Sequence, residues 1–571
     1  MLLVAATVVV YLPALTAGFI WNDNTYVTDN PTLDGLGGLR LIWAEPRANE
    51  QYYPLVFTSF WLEKRVWGLH PLGYHLVNVL LHAGSALLLW WFLRRLRLPG
   101  AWLAAAVFAL HPVCVESVAW VTERKNTLSM LLSLLSAHAF VGFVDAREAE
   151  RQPHGRRGAA AAVPWRRRPA TLYCGAFAAF TLALLAKTTA ALLAPVLLVL
   201  AWWRRGKLRT SDVGPLVPFF AVGVALAWNT AWLEKTMVRA SGVEWSLSLL
   251  GRVVLAGRTL AFYLSKFLWP TSLMFIYPRW VIDPAVWAQW LPALAAAAAV
   301  AAAWLLRTRV GRGPLAGVLL FGGVLFPAMG FFNVYAMRYS YVADHFAYQA
   351  VAVGAAALVC GAAALVATRG TAVRRGAAAV GVLVLVVLGA LTFREARVYR
   401  NEDTVWKDTL TANPDCYMCH TNYGFSLYGR GRVADAVEHF EAALRLKPDN
   451  VPALLNLAKV EEDRGRFDEA IARLLAARLI DPTNPTVLVN LGTDYTKARR
   501  FDEAIAQYEE ALSISSPDDY LAHNGLGVAL MNTGRTAEAI AHFREALRLK
   551  PGYWMAEANL ERALAVASRA R

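Results

Sequence analysis

Long apolar runs separated by short polar loops fill the chain as far as residue 393, and a polar sequence rich in Ala, Leu, Glu and Arg follows. A helix that crosses a bilayer needs about 20 consecutive and mostly apolar residues. Runs of this kind lie at residues 2–20, 74–94, 100–118, 126–144, 171–186, 188–203, 215–233, 288–306, 314–332, 346–368 and 376–393. The pattern predicts an all-α fold in which a membrane helix bundle of about 11 spans, residues 1–395, precedes a water-soluble part.

The polar part of the chain repeats itself with a period of 34 or 35 residues. The recurring positions are prolines (Pro414, Pro448, Pro482, Pro517 and Pro551), small residues (Gly424, Ala458, Gly492 and Gly527) and large apolar residues (Phe440, Leu474, Tyr508 and Phe543). This is the length of a tetratricopeptide repeat, in which two antiparallel helices form one unit. We therefore predict a connecting helix at 396–415 and an α-solenoid at 416–571, with four repeats at 417–550 and a capping helix near 554–567.

Composition agrees with a membrane protein, because 57% of the residues are hydrophobic and only 17% are charged, against about 25% charged in soluble domains. The net charge of +15 does not indicate a nucleic-acid partner, because the positive residues lie in short loops between apolar runs, as cytoplasmic loops do. These loops contain Arg94, Arg95 and Arg97; Arg151, Arg156, Arg157, Arg166, Arg167 and Arg168; Arg204, Arg205, Lys207 and Arg209; Arg307, Arg309 and Arg312; and Arg369, Arg374 and Arg375.

The basic loops all fall on one side of the membrane if the apolar segment 247–269 does not cross it. That segment contains Arg252, Arg258 and Lys266, which suit an interfacial or re-entrant helix better than a span. The positive-inside rule then places the N-terminus in the cytoplasm and the C-terminus outside. We therefore predict a multi-pass protein of the cell inner membrane whose repeats are periplasmic.

Two cysteines stand at the start of the first repeat, in the sequence Cys416-Tyr417-Met418-Cys419-His420. The spacing has the form of a c-type haem attachment site, and it also allows a disulfide between Cys416 and Cys419. The repeat alignment favours a third explanation, because Cys419 occupies the position of Ala453 in the next repeat. On that alignment, packing between helices without a bond is the interpretation that we favour.

Ionisable side chains collect in the segments that this topology places on the outer face of the membrane. They are Asp23, His111, Glu116, Arg124, Lys125, Lys187, Arg279, Arg338, Asp344 and His345. Carboxylates beside several cations suit a phosphate-bearing lipid, since Arg and Lys hold phosphate and a carboxylate accepts the proton of an attacking hydroxyl. Each residue also has a local explanation, such as an ion pair between Glu116 and Arg124 or head-group anchoring by Lys187.

Short motifs follow one another in a fixed order along the membrane part. They are Trp21-Asn22-Asp23, Tyr52-Tyr53-Pro54-Leu55, Gly73-Tyr74-His75-Leu76-Val77-Asn78, Leu81-His82, His111-Pro112-Val113 with Glu116, Glu123-Arg124-Lys125-Asn126, Phe275-Ile276-Tyr277-Pro278-Arg279-Trp280 and Ala343-Asp344-His345-Phe346. In this order, and with the repeat tail, the chain resembles the transmembrane-and-tetratricopeptide O-mannosyltransferase family and its bacterial relatives. Those proteins share the GT-C fold of glycosyltransferases that use polyprenyl-phosphate sugars.

The resemblance implies roles for individual residues. Asp23 takes the place of the first-loop catalytic base and Glu116 that of the second-loop acidic partner. The residues implied to contact the donor phosphate are Arg124, Lys125, Lys187 and Arg279. The chain has Asn22 where the family often has a second Asp, so either Asp23 carries the role alone or activity is reduced. No cofactor is clearly implied beyond the lipid-linked donor, and a divalent metal at Asp23 stays an alternative.

These observations support one main functional hypothesis and two rivals. The main hypothesis is an inverting transfer of a mannose-like sugar from a polyprenyl-phosphate donor to an acceptor hydroxyl, on a protein Ser or Thr, at the periplasmic face. The repeats then recruit a protein or peptide acceptor in their groove. The rivals are a non-enzymatic membrane-anchored scaffold for envelope proteins and a transporter for a lipid-linked glycan.

Overall fold

A computed structural model describes residues 1–151, 168–236, 246–514 and 519–569, and within these ranges the chain forms helices and no strand. The chain divides into two compact units, Met1–Asn413 and Pro414–Arg571. The predicted all-α fold is confirmed. Pro517 and four arginines of the second basic loop (Arg156, Arg157, Arg166 and Arg167) lie outside the described residues.

The first unit holds α-helices that follow one another with short 3-10 turns between them. Their bounds are Leu2–Val10, Leu12–Leu15, Gly35–Ala44, Pro54–Trp67, Pro71–Arg95, Ala101–Ala109, Val115–Ala119, Arg124–Arg151, Pro169–Ala186, Leu193–Arg205, Thr210–Val213, Val217–Thr236, Leu249–Leu268, Leu291–Leu306, Gly313–Leu325, Tyr348–Ala367, Thr371–Ala396 and Glu402–Ala412. Many long apolar side chains on these helices are exposed, as expected of a surface that faces lipid tails.

Seven helices in the described part are long and apolar enough to cross a membrane. They are Pro71–Arg95, Val121–Glu150, Pro169–Ala186, Thr210–Leu233, Trp287–Leu306, Asp344–Ala367 and Thr371–Arg400. The run at 100–118 forms a pair of helices bent by 53° between Ala109 and Pro112, because Pro112 has no N–H to continue the first helix.

Three of the predicted spans are shorter as helices than the apolar runs that suggested them. The run 2–20 breaks at Tyr11, the run 188–203 opens with a 3-10 turn before Leu193–Arg205, and the run 314–332 ends its apolar helix at Ala328. The count of 11 full-length spans is therefore not reproduced by helix length. The segment predicted to be interfacial or re-entrant forms the helix Leu249–Leu268.

The second unit is an array of antiparallel helix pairs. The helices are Tyr417–Gly429, Val433–Leu446, Val451–Asp463, Phe467–Ile480, Pro485–Lys497, Phe501–Ile514, Tyr520–Asn532, Thr536–Leu549 and Trp554–Arg569. The small residues recur because the paired helices nearly touch: a Cβ added at Gly424 meets a ring atom of Phe440 at 2.7 Å. The predicted solenoid of helix pairs is confirmed, and its described helices form four antiparallel pairs followed by a closing helix.

Cys416 and Cys419 form a disulfide at the start of the first repeat helix. Cys419 is fully buried, so it occupies the packing position that the alignment indicated. It is also bonded to Cys416. The favoured interpretation, packing without a bond, is corrected in this respect. Because the bond uses both thiols, the haem-attachment alternative is not supported.

The segment that joins the last long helix to the repeats belongs to the first unit. A 3-10 turn, Val398–Arg400, is followed by the helix Glu402–Ala412, whose N-terminus is capped by the Asn401 side chain. Trp406 of this helix is almost fully buried and lies edge-on to Trp21 and Phe275. The connecting helix therefore packs on the first loop of the membrane part.

Candidate functional site

Three helix ends meet at one place in the first unit. The helix Arg124–Arg151 begins there, Pro169–Ala186 ends there, and Tyr348–Ala367 begins there after a 3-10 turn. These ends carry Glu123, Lys187 and His345 into one network of polar side chains. Because each residue lies just beyond a helix end, its polar group stands at the edge of the apolar bundle.

Glu123 is at the centre of this network. Its carboxylate lies 2.9 Å from the Lys125 ammonium and 3.8 Å from the Lys187 ammonium, and it accepts a 2.6 Å hydrogen bond from the Asn126 amide. The Lys187 ammonium donates a 2.6 Å hydrogen bond to the Asn126 carbonyl oxygen. Asn126 thus fixes the distance between the anionic and cationic groups.

Glu116 joins the same network through His345. Its Oε2 accepts a 2.7 Å hydrogen bond from the His345 backbone N–H, and its Oε1 lies 3.0 Å from His345 Nδ1. The Asn126 amide also donates to the His345 carbonyl oxygen at 3.2 Å. The contacts therefore connect Glu116, His345, Asn126 and Lys187 without a break.

The nitrogen-bearing side chains of the network are slightly exposed, and its carboxylates are buried. The side chains of Lys125, Lys187 and His345 are each 12% exposed, whereas Glu116 is 2% and Glu123 1% exposed. The two ammonium groups of Lys125 and Lys187 balance the two carboxylates of Glu116 and Glu123 in charge. Because the partly exposed groups carry N–H donors and the carboxylates are buried, an anion is the ligand that this surface suits.

Asp23 lies beside this network, in the loop after the first helices. Its Oδ1 accepts hydrogen bonds from the Thr122 N–H (2.8 Å) and hydroxyl (2.7 Å), and its Oδ2 accepts one from the Ile20 N–H (2.9 Å). Because Thr122 precedes Glu123 in the chain, the residue that binds the Asp23 carboxylate is the direct neighbour of Glu123. Burial, the largest cause, raises the pKa of Asp23 to about 7 even though these hydrogen bonds lower it. A carboxyl with this pKa exchanges a proton near neutral pH.

Aromatic rings pack around Trp21, two residues before Asp23 in the chain. Trp21 is stacked on Trp120 with ring centres 5.5 Å apart, and Phe275 meets both rings edge-on. The Trp120 ring also lies 6.1 Å from that of His345. Within the described ranges, the buried Trp120 Nε1 has no hydrogen-bond acceptor in reach, so it is a donor that a bound hydroxyl could satisfy.

Arg124 occupies a different place from the one that the resemblance implied. Its guanidinium is fully buried and forms an ion pair with Glu63, a hydrogen bond with the Asn78 side chain, and a 2.8 Å hydrogen bond to the Tyr74 carbonyl oxygen. These contacts use both terminal nitrogens and Nε. Arg124 therefore holds helices together, and we do not carry its phosphate role forward.

The remaining candidates lie in the same unit and make contacts with residues outside the network. Asp344 accepts a 2.9 Å hydrogen bond from the Tyr277 hydroxyl, and it adjoins His345 in the chain. Arg279 donates to the Tyr341 hydroxyl at 3.2 Å. His111 Nε2 lies 3.0 Å from the Phe267 carbonyl oxygen. The Arg338 guanidinium lies 6.0 Å from the ring centre of Tyr339.

Sequence reasoning missed Glu123, Asn126 and Glu63. The first two lie in the Glu123-Arg124-Lys125-Asn126 motif, where the cations alone were taken as ligands. The available signal was that a buried helix end with two cations needs a compensating carboxylate. Among the described residues, no group of three or more His, Cys, Asp and Glu side chains is arranged to hold a metal ion.

Comparison with known proteins separates the two parts of the chain. Family profiles of the tetratricopeptide repeat match residues 427–488 and 489–553. The N-terminal part is similar to protein O-mannosyl-transferases, with 35% identity over 144 residues to Tmtc1 of Drosophila melanogaster and 33% over 144 residues to TMTC2 of Homo sapiens. Each alignment covers 23% of this chain and only 17% of the relative.

Solved structures of repeat proteins are similar to the second part. MamA is 23% identical, with 25% of this chain and 84% of that chain covered and a TM-score of 0.24. YrrB, a tetratricopeptide protein described with an unusual peptide-binding site, is 20% identical, with 28% and 84% covered and a TM-score of 0.26. The similarity to O-mannosyl-transferases thus concerns the N-terminal part of the chain, and the tetratricopeptide profiles match its C-terminal part.

Proposed function

We propose that this chain transfers a sugar from a polyprenyl-phosphate donor to an acceptor hydroxyl, with inversion at the sugar carbon. The observation that carries the proposal is the network in which Lys125, Lys187 and His345 contact the buried carboxylates of Glu116 and Glu123 and are themselves partly exposed. The relatives' names favour a mannose-like sugar and a protein hydroxyl as the acceptor.

The reaction needs one displacement. The acceptor oxygen attacks the sugar carbon, the bond from that carbon to the phosphate oxygen breaks, and the acceptor proton goes to the Asp23 carboxylate. The departing polyprenyl phosphate gains a second negative charge, which Lys125 and Lys187 stabilise. Asp23 is fully buried, so the proposal requires side chains around its carboxylate to move when the acceptor binds, while the backbone from Ile20 to Asp23 stays in place.

The periplasmic face and the lipid nature of the donor belong to the same proposal. They are supported by the basic loops, which favour the cytoplasm, and by the position of the network at the helix ends away from those loops. The repeats recruit the acceptor protein, since arrays of helix pairs bind extended peptides. The membrane scaffold remains the rival, because a scaffold also has a repeat array and an anchor.

The direct test is transfer by the purified full chain in lipid nanodiscs. We expect a radiolabelled sugar to pass from one member of a panel of polyprenyl-phosphate sugars to a protein in a periplasmic extract. The same incubation with nucleotide sugars is expected to give no transfer. An absence of transfer from every lipid-linked donor would favour the scaffold.

The pH dependence of transfer is expected to be bell-shaped, with its maximum between the two titrations. Asp23 must be ionised to accept a proton, so the rate rises through its pKa of about 7. Lys187 must be protonated to hold phosphate, and burial lowers its pKa to about 8, so the rate falls above that pH. Initial rates from pH 5 to 10 check both limbs. A flat profile would contradict the two assignments.

Lys187→Met is expected to raise the donor KM about 10- to 100-fold, because a charge-assisted hydrogen bond contributes about 1.5–3 kcal/mol. Lys187→Arg keeps the charge and should abolish the alkaline limb of the pH profile. The matched control is Lys207→Met, because Lys207 is an exposed lysine of a basic loop. Initial rates at varied donor concentration distinguish KM from kcat. An unchanged KM in Lys187→Met would remove Lys187 from the donor site.

A further inference from the structure

The chain segment that follows the last long helix folds back onto the loop that carries Asp23. The Gly18 N–H donates a 2.9 Å hydrogen bond to the Arg400 carbonyl oxygen, and the Trp21 N–H donates a 3.1 Å hydrogen bond to Glu402 Oε1. The second bond joins residues 381 positions apart in the sequence. Two residues of the loop are therefore held by the connecting segment.

Trp21 has an unusual backbone conformation at this contact. Its φ of 44° lies in the left-handed region, which residues with a side chain rarely adopt. Such a conformation persists only where its surroundings stabilise it. For Trp21 the stabilising contacts are the hydrogen bond to Glu402, the stacked ring of Trp120 and the edge-on ring of Trp406.

We propose that Glu402 is a positioning residue that holds the Asp23 loop in its reactive conformation. The proposal rests on the proposed function. Trp21 lies between Ile20, whose N–H donates to Asp23 Oδ2, and Asp23 itself. If Trp21 leaves the left-handed region, the direction of the peptide that follows it changes, and this hydrogen bond is disturbed. Glu402 thus acts on the carboxylate through the backbone between residues 20 and 23.

The Glu402 carboxylate also acts through its charge. It raises the pKa of Asp23, although burial is the larger cause. Other titratable side chains next to this loop include His75, whose ring nitrogen lies 3.3 Å from the Gly18 carbonyl oxygen, and Glu123, which follows Thr122. They also include Lys125, whose ammonium lies 5.6 Å from the ring centre of Tyr26. Two effects of one side chain, hydrogen bond and charge, can therefore be separated by substitution.

The effect of the hydrogen bond and the effect of the charge are separated by two variants, Glu402→Gln and Glu402→Ala. Glutamine keeps an oxygen that accepts the Trp21 N–H, so kcat above pH 7 should stay within about 3-fold while the acid limb of the pH profile moves to lower pH. Alanine removes the acceptor, and kcat should fall at least about 10-fold with the donor KM unchanged. Lys407→Ala, an exposed position on the same helix, is the control and should behave as the wild type.

Hydrogen exchange of the peptide that contains Trp21 gives a second measurement, which needs no substrate. We expect faster exchange in Glu402→Ala than in the wild type, and wild-type exchange in Glu402→Gln. Equal losses of kcat in both variants, or unchanged exchange in Glu402→Ala, would overturn the positioning role. A wild-type protein that transfers no sugar would overturn the proposed function instead, and the exchange experiment would still decide whether Glu402 holds the loop.

Discussion

Asp23→Asn is expected to lower kcat for sugar transfer by about 100- to 10,000-fold, the usual contribution of a general base. The amide oxygen can still accept the hydrogen bonds from Thr122, but its nitrogen cannot accept the Ile20 N–H and has no basic lone pair. The donor KM should change little, because the phosphate ligands are other residues. Initial rates at saturating donor and acceptor give this result.

Two further variants distinguish a base from a residue that only holds the loop. Thr122→Val removes one of the hydrogen bonds that lower the pKa of Asp23, so the acid limb of the pH profile should move to higher pH. Asp29→Asn, at an exposed position in the same loop, should be as active as the wild type. If Asp23→Asn kept more than about a tenth of the wild-type kcat, the base would have to be another group.

Glu63→Gln is expected to destabilise the first unit by about 3–5 kcal/mol, the range measured when one partner of a buried ion pair is removed. The Arg124 guanidinium is fully buried against Glu63, so the substitution leaves its charge without a counterion. Thermal unfolding of the detergent-solubilised chain should show a lower melting temperature, while sugar transfer by the folded fraction persists.

The control for this prediction is Glu45→Gln, since Glu45 is exposed and its substitution should leave the melting temperature unchanged. The double variant Glu63→Met with Arg124→Met removes both charges and should recover most of the lost stability. A melting temperature of Glu63→Gln equal to that of the wild type would show that Arg124 is solvated or paired in another way.

The repeat array could be predicted because its period is visible in the sequence itself and does not depend on contacts between distant segments. A proline, a small residue and a large apolar residue recur at fixed offsets, and the close approach of Gly424 to Phe440 explains why the offsets are kept. Span lengths were less predictable. The division of the chain at Lys187 was predicted, but an apolar run does not show the break at Tyr11 or the 3-10 turn Thr188–Leu192, which depend on how neighbouring helices pack.

The candidate site, like the fold, could be predicted from the sequence only in part. Glu116, Lys125, Lys187 and His345 could be chosen from the sequence because ionisable residues are rare beside apolar runs, and the structure brings them into one network. Whether Arg124 faces that network or the helix interior depends on Glu63, which lies 61 residues away in sequence. A pairing of this length has no signature in a single sequence.

The bond between Cys416 and Cys419 also bears on where the repeats fold. A covalent ring that spans one helical turn restricts the unfolded chain little, so its contribution to stability is small. Its persistence is instead a matter of redox conditions, since glutathione and thioredoxin keep thiols reduced in the cytosol. A disulfide at the first repeat helix therefore agrees with the proposed location of the repeats in an oxidising compartment.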